Sequence, residues 1–173
     1  MALSLYDVTV VSFLQTVGAA KGFLKKGAEF AQSNGIDLQD IVESRLRPDM
    51  WPFRLQVISI AHHSRDAIQG VQGGVFAPPS GGDDLDYAGL QKLVADAHDF
   101  LGGLTPASIN ALEGKDVVFK LGPNGLPFTA EGLLLSLSLP NLHFHATTAY
   151  DILRIKGAPL GKLDYMGKMR MKG

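Results

Sequence analysis

Thr129 to Arg154 reads TAEGLLLSLSLPNLHFHATTAYDILR, and the fold turns on how this stretch is read. It is the longest apolar segment of the chain, and it ends in apolar residues at helical steps around His143 and His145. Thr129 is placed to cap a helix that runs to Lys156, with Gly157 as its stop. Pro140 falls inside that helix, removes one backbone hydrogen bond and predicts a kink one turn before His143. The run from Gly132 up to Asp151 is uncharged, but its two histidines, asparagine and proline suit a buried bundle helix better than a membrane span. On a helix His143 and His145 stand roughly 200° apart, so they face different neighbours. His145 shares its face with Asn141 and Thr148.

Working outward, Asp116–Leu121 and Leu126–Phe128 flank Gly122-Pro123-Asn124-Gly125, which predicts a small β-hairpin. Such a hairpin is marginal alone, so it must pack on the helices or on a partner. Upstream, Asp86–Leu101 is a helix with Leu90, Leu93, Val94, Ala97 and Leu101 on one face, His98 at its edge and Gly102-Gly103 at its end. Gly73–Asp84 reads as a Gly/Pro-rich loop. Another helix runs from Pro52 to about Val71, with Phe53, Val57, Ile60, Ala67 and Ile68 inward and Gln56, His62 and His63 carried along it. A short helix, Leu38 to Arg47, starts at the cap Asp37 and stops at Pro48. The first helix covers residues 4–33, capped by Ser4 and ended by Asn34-Gly35. Gly18, Gly22 and Gly27 within it each cost about 1 kcal/mol relative to alanine, which points to close helix–helix approach. Residues 158–173 form a tail in which Leu160 and Tyr165 are expected to dock. The architecture predicted is all-α: one domain over residues 1–173, four long helices, a short extra helix, and the hairpin before the last long helix.

Composition narrows the function classes. At 173 residues the chain can bury roughly two thirds of its extended surface in one core. With 46% hydrophobic and 19% charged residues and a net charge of −1, it gives no electrostatic reason to expect nucleic acid or an anionic membrane. The absence of cysteine removes disulfides, thiolate catalysis and thiolate metal sites. MALSLYDVTVVSF carries Asp7 and no basic residue before its apolar part, unlike a secretory signal. A soluble, cytoplasmic protein is expected.

Five stretches carry a family resemblance: SLYD (Ser4 to Asp7), LRPDMWP (Leu46 to Pro52), Leu55 to Val57 followed by His62-His63, PNLHFHATTAYDILR (Pro140 to Arg154) and GKLDYMG (Gly161 to Gly167). With these the chain resembles a bacterial and fungal family of uncharacterised proteins, a domain of unknown function within the DinB/YfiT-like four-helix superfamily. The resemblance implies an up-down-down-up bundle, often dimeric, and no established activity. In metal-binding members of that superfamily one histidine comes from the second helix and two from the fourth, spaced H-x-x-x-H. Here His63 matches the first and His145 one of the pair. The partner positions of His145 are Asn141 and Ala149, so the three-histidine set is broken.

Three functions follow as expectations. The first is a small-molecule or metal-free acid/base site between the second and fourth helices, with His63 and His145 as acid/base residues and Tyr6, Gln56, Asn141 and Thr148 contacting the ligand. It predicts a cavity of a few hundred Å³ lined by those residues. The same two histidines also read as buried residues satisfied by neighbouring amides and hydroxyls, since membership of the superfamily alone says nothing about chemistry. The second function is a metal-dependent enzyme of thiol-transferase type, with zinc or nickel on His63, His145 and a third group such as His62, Asp66 or His98. No cofactor is otherwise predicted. The third is a homodimeric structural or interaction protein.

Overall fold

A computed structural model describes residues 2–82, 84–123 and 125–172. Asp83 of the Gly/Pro-rich loop and Asn124 of the expected turn lie outside the described residues. The chain is mostly helical, with a small mixed three-stranded sheet. Its core runs through Phe13, Phe23, Phe53, Tyr87, Leu90 and Leu133, all buried.

The first helix is interrupted. Ser4 does act as a cap, in a reciprocal pair with Asp7, but it caps only α1, Leu5–Val8. Thr9 is distorted from the ideal helix at φ −112°, ψ −78°, its hydroxyl bonded to the Leu5 carbonyl, and α2 then runs Val10–Asn34. Gly35, at φ +65°, ends it as a left-handed cap. Of the three glycines within it, only Gly27 marks a close approach. A methyl there would lie 2.7 Å from the Tyr87 hydroxyl and 2.9 Å from Leu153, whereas Gly22 faces open space.

Asp37 caps α3, which is shorter than expected at Leu38–Val42. After Pro52 comes α4, Phe53–Ala61, continued through a π-helical turn, His62–Asp66, into α5, Ala67–Gly73. The expected loop then forms a two-residue strand, β1 (Val75–Phe76). Asp86 caps α6, Tyr87–Gly102, through the Gly89 amide. A short helix not expected from periodicity, α7 (Pro106–Asn110), follows a Thr105 capping box. Strands β2 (Asp116–Phe119) and β3 (Leu126–Thr129) pair antiparallel, with Asp116 opposite Thr129 and Phe119 opposite Leu126. β1 joins β2 in parallel, Phe76 opposite Phe119, so the sheet order is β1-β2-β3.

Thr129 caps α8, Ala130–Leu133, by accepting from the Gly132 amide. A second π-helical turn, Leu134–Ser138, leads into α9, Leu139–Ile155. Pro140 sits in the first turn of α9 and has no N–H to donate. The carbonyl it would have met, at Ser136, lies within the turn where the ladder is already widened. The widened turn therefore takes up the proline within a run that stays helical from Ala130 to Ile155. The tail is more ordered than its composition suggests: Leu160 is buried, and α10, Lys162–Met166, packs on α2, with Lys26 bonded to Asp164 at 2.6 Å. Helix α2 packs against α6 and α9, and α4 packs against the same two. No helix among the described residues is long and apolar enough to cross a membrane.

Candidate functional site

The chemistry-bearing side chains collect where α4, its π-helical turn and α9 meet. An α-helix would set His62 and His63 about 100° apart, so that one faced the bundle and the other its flank. Both are nevertheless buried, His63 against His145 and His62 beneath Phe76 of β1. His63 stacks on His145, with ring centroids 5.8 Å apart and planes 7° apart. The other side of the His145 ring is covered by Trp51, at 5.8 Å and 9°. The Nδ1 of His145 lies 2.7 Å from Gln56 Oε1, and the Gln56 amide donates to the Trp51 carbonyl at 3.0 Å. Trp51, Gln56, His63 and His145 thus form one layered unit.

On the far side, His62 packs edge-on against His63 at 5.0 Å and lies against Phe76 at 4.5 Å and 19°. Strand β1 delivers Phe76, and Gly70 permits its approach: a methyl at Gly70 would meet both the Phe76 ring and the Val75 carbonyl at 3.0 Å. His62 Nδ1 is 3.4 Å from Asp66 Oδ2, one turn on, while Asp66 Oδ1 accepts from Arg65 Nε at 2.6 Å. Nε2 of His62 and Nδ1 of His63 are buried with no hydrogen-bond partner among the described residues.

These surroundings set the charges. Burial pushes His63 down to about 3, with repulsion from His62 and His145 adding to it and Asp66 opposing it. Burial, and then His62, lower His145 to about 4. Both rings are therefore neutral near pH 7. At Asp66 burial favours the protonated acid, but the His62 and Arg65 hydrogen bonds and charges outweigh it, so its pKa is lowered and it stays ionised.

A cavity of about 540 Å³ opens beside this unit, on the His62 side. Its walls come from the outward face of α4 and the π-helical turn, from β1, and from the loop through Pro78, Pro79 and Gly82, with Leu93 of α6 opposite. His62, Arg65 and Asp66 line it, and His63 and His145 do not. The rings of His63 and His145, expected to wall a pocket, lie outside this cavity and stack on each other, with Trp51 and Gln56 against His145. Of the expected ligand contacts, Gln56 alone joins them by hydrogen bond. Asn141 turns back to the Leu137 carbonyl and Thr148 to the Phe144 carbonyl. Tyr6, on α1, is held through its backbone N–H by Asn110. His98, half-buried on α6, pairs with Asp99 at 3.5 Å and borders a different pocket, beside Val11 and Gly18 of α2.

Trp51 and Phe76 belong to the site without any periodic signal to announce them. Trp51 precedes its helix, where helical periodicity says nothing. Phe76 lies in a stretch whose Gly and Pro content reads as loop. A tryptophan two residues after Pro-Asp and beside a helix-starting proline is the one available hint.

The metal set implied by the resemblance does not fit this arrangement. The lone pairs of an imidazole lie in its plane, and the near-parallel rings of His63 and His145 direct theirs along separate planes instead of towards one point. Among the described residues no group of three or more His, Cys, Asp or Glu could hold an ion.

Comparison with known proteins agrees with the fold. A crystal structure of a DinB family member protein from Shewanella denitrificans superposes with a TM-score of 0.84 at 27% identity, over 98% of this chain and 95% of that one. No curated protein matches. Residues 5–166, nearly the whole chain, match the domain of unknown function DUF1993, and the protein belongs to that family.

Proposed function

We propose that the protein binds a small organic molecule in the cavity beside His62–Asp66, without a metal. The observation that supports this reading is the cavity itself: about 540 Å³, with a histidine–carboxylate pair on one wall and apolar residues on the others. That volume and mixture are typical of small-molecule sites. His63 and His145, with Gln56, back the wall. Imidazoles with pKa values near 3 and 4 are weak bases, so we assign them the holding of His62 in place more than proton exchange at pH 7. Tyr6, Asn141 and Thr148 are left out of the site. The reading takes residues 1–173 as one up-down-down-up bundle domain with a C-terminal tail from about 158.

Side-chain nitrogen NMR of the histidines during a small-molecule screen tests it. Binders are expected to shift His62, and Leu93→Trp, which fills the cavity from α6, is expected to abolish those shifts in a folded protein. Binders that leave His62 unmoved, or that act equally on Leu93→Trp, would count against the site.

A second reading, a homodimeric interaction protein, is favoured by Trp51 and Phe144, which remain 48% and 55% exposed beside the buried His145. Sedimentation that stays monomeric at high concentration would remove it.

A further inference from the structure

We propose that the ligand of this cavity is a small oxyanion, a carboxylate or phosphate monoester, carried on an apolar body and held by Arg65. The inference rests on the small-molecule reading above and concerns what kind of molecule that site accepts.

The inventory of unused donors and acceptors on the wall decides between ligand classes. Arg65 and Asp66 hold the formal charges among the described residues lining the cavity. Asp66 has its two oxygens engaged, Oδ1 by Arg65 Nε at 2.6 Å and Oδ2 facing His62 Nδ1 at 3.4 Å. A cationic ligand would have to compete with both partners for them. Arg65 is in the opposite position. Its Nε is spent on Asp66, while its two terminal nitrogens meet no further acceptor among the described residues. A guanidinium fixed by one edge presents its remaining donors in a planar fork, a geometry that matches the two oxygens of a carboxylate or phosphate.

Position and shielding agree with that inventory. The Arg65 side chain is only 23% exposed, so its charge is partly withdrawn from water and a paired anion gains more than it would on an open surface. Gln69, one turn further along the same face, adds an amide able to donate. Asp66 constrains the approach: its own charge repels an anion, so the ligand must meet Arg65 from the side of the terminal nitrogens. Ile58, Phe76, Leu85 and Leu93 complete the walls and supply the contact surface for an apolar body.

The experiment compares matched probes on the full chain by calorimetry, with arginine and histidine side-chain NMR to locate them. 3-Phenylpropionate and phenyl phosphate are the oxyanions, and 3-phenylpropanamide and 3-phenylpropylamine the neutral and cationic counterparts. The expected result is that at least one oxyanion shifts Arg65 and His62 and binds roughly tenfold or more tightly than amide and amine. Arg65→Gln is expected to remove that preference and Arg65→Lys to keep part of it, since lysine retains the charge but not the fork. Should Arg65→Gln not fold, the shift of the Arg65 side-chain nitrogens in the unsubstituted protein answers the same question. Tighter binding of the amine or amide at His62 would overturn the oxyanion assignment and leave the small-molecule site standing. Oxyanion binding that leaves Arg65 unshifted, or is unchanged in a folded Arg65→Gln, would overturn it likewise. If none of the four probes perturbs His62 or Arg65, both readings fall together.

Discussion

His145 is covered on both faces: its ring lies parallel to that of His63 at 5.8 Å and, on the other side, parallel to Trp51 at the same separation. A buried imidazole held this way, with Gln56 as the hydrogen-bond partner of Nδ1, resists protonation, and two of the expected behaviours of this protein follow from that resistance.

Stability should fall as the solution is acidified, beginning well above the carboxylate range. In the unfolded chain the histidines take up protons near pH 6.5, whereas His63 and His145 in the folded protein do so only near 3 and 4. Between those limits the unfolded chain binds more protons, so stability is at its full value above about pH 6.5 and declines as the pH drops towards 4. Urea midpoints measured between about pH 7 and 5 should show a slope on the order of 1 kcal/mol per pH unit for each of the two histidines. His63→Leu should remove about half of it, and a flat profile over that range would contradict the assigned burial.

Gln56 and His145 should be energetically coupled. Gln56→Leu leaves the buried Nδ1 without its partner, at about 1–3 kcal/mol, and also removes the bond to the Trp51 carbonyl. Adding His145→Leu to Gln56→Leu should cost less than His145→Leu does alone. Strict additivity in a double-mutant cycle would mean that the 2.7 Å contact contributes nothing.

Trp51 is the one tryptophan of the chain, so its fluorescence reports this layer alone. An imidazolium quenches a stacked indole far more than a neutral imidazole does. Emission should therefore drop with a midpoint near pH 4, the His145 value, while circular dichroism still shows a folded protein. In His145→Phe, which keeps a ring against the indole, the transition should vanish.

Two glycine substitutions in α2 should have opposite signs. Gly22→Ala faces open space and should stabilise by roughly 0.5–1 kcal/mol through helix propensity. Gly27→Ala drives a methyl into the Tyr87 hydroxyl and Leu153 and should destabilise by about 1–3 kcal/mol, loosening the 2.8 Å bond from Tyr87 to the Leu24 carbonyl. Thermal melts of the two variants settle both signs.

The parts of the structure legible in the sequence are those whose signals are local and repeated. The apolar stripe of α6 with Asp86 before it, Thr129 ahead of α8 and Gly35 after α2 each combine a period with a cap, and each stands within a residue or two of where they place it. The features that escape such a reading depend on partners distant in the chain or on a change of period. A two-residue strand has no periodicity of its own, and β1 exists because β2 offers it an edge. The π-helical turn at His62–Asp66 shifts every later side chain by about a quarter turn, so a wheel drawn at 100° misassigns the faces of the residues that follow it. His63 does meet His145, as expected, while the cavity beside them opens on the His62 side. The π-helical turn at Leu134–Ser138, just before Pro140, has no periodic signal either.

The short parallel pairing of β1 with β2 has a kinetic consequence. A two-residue parallel ladder, flanked by the bonds from Val118 to the Gly74 carbonyl and from Lys120 to the Phe76 carbonyl, fastens this side of the cavity to a segment about forty residues away. Helices α2, α4, α6 and α9 pack on one another without it, so β1 should detach while they stay folded, at a free energy well below that of global unfolding. The amides of Val118 and Lys120 should then exchange with solvent deuterium much faster than those of α4 or α9. Their exchange rates measure how often the door beside His62 stands open, and an occupant that packs against Phe76 should slow them.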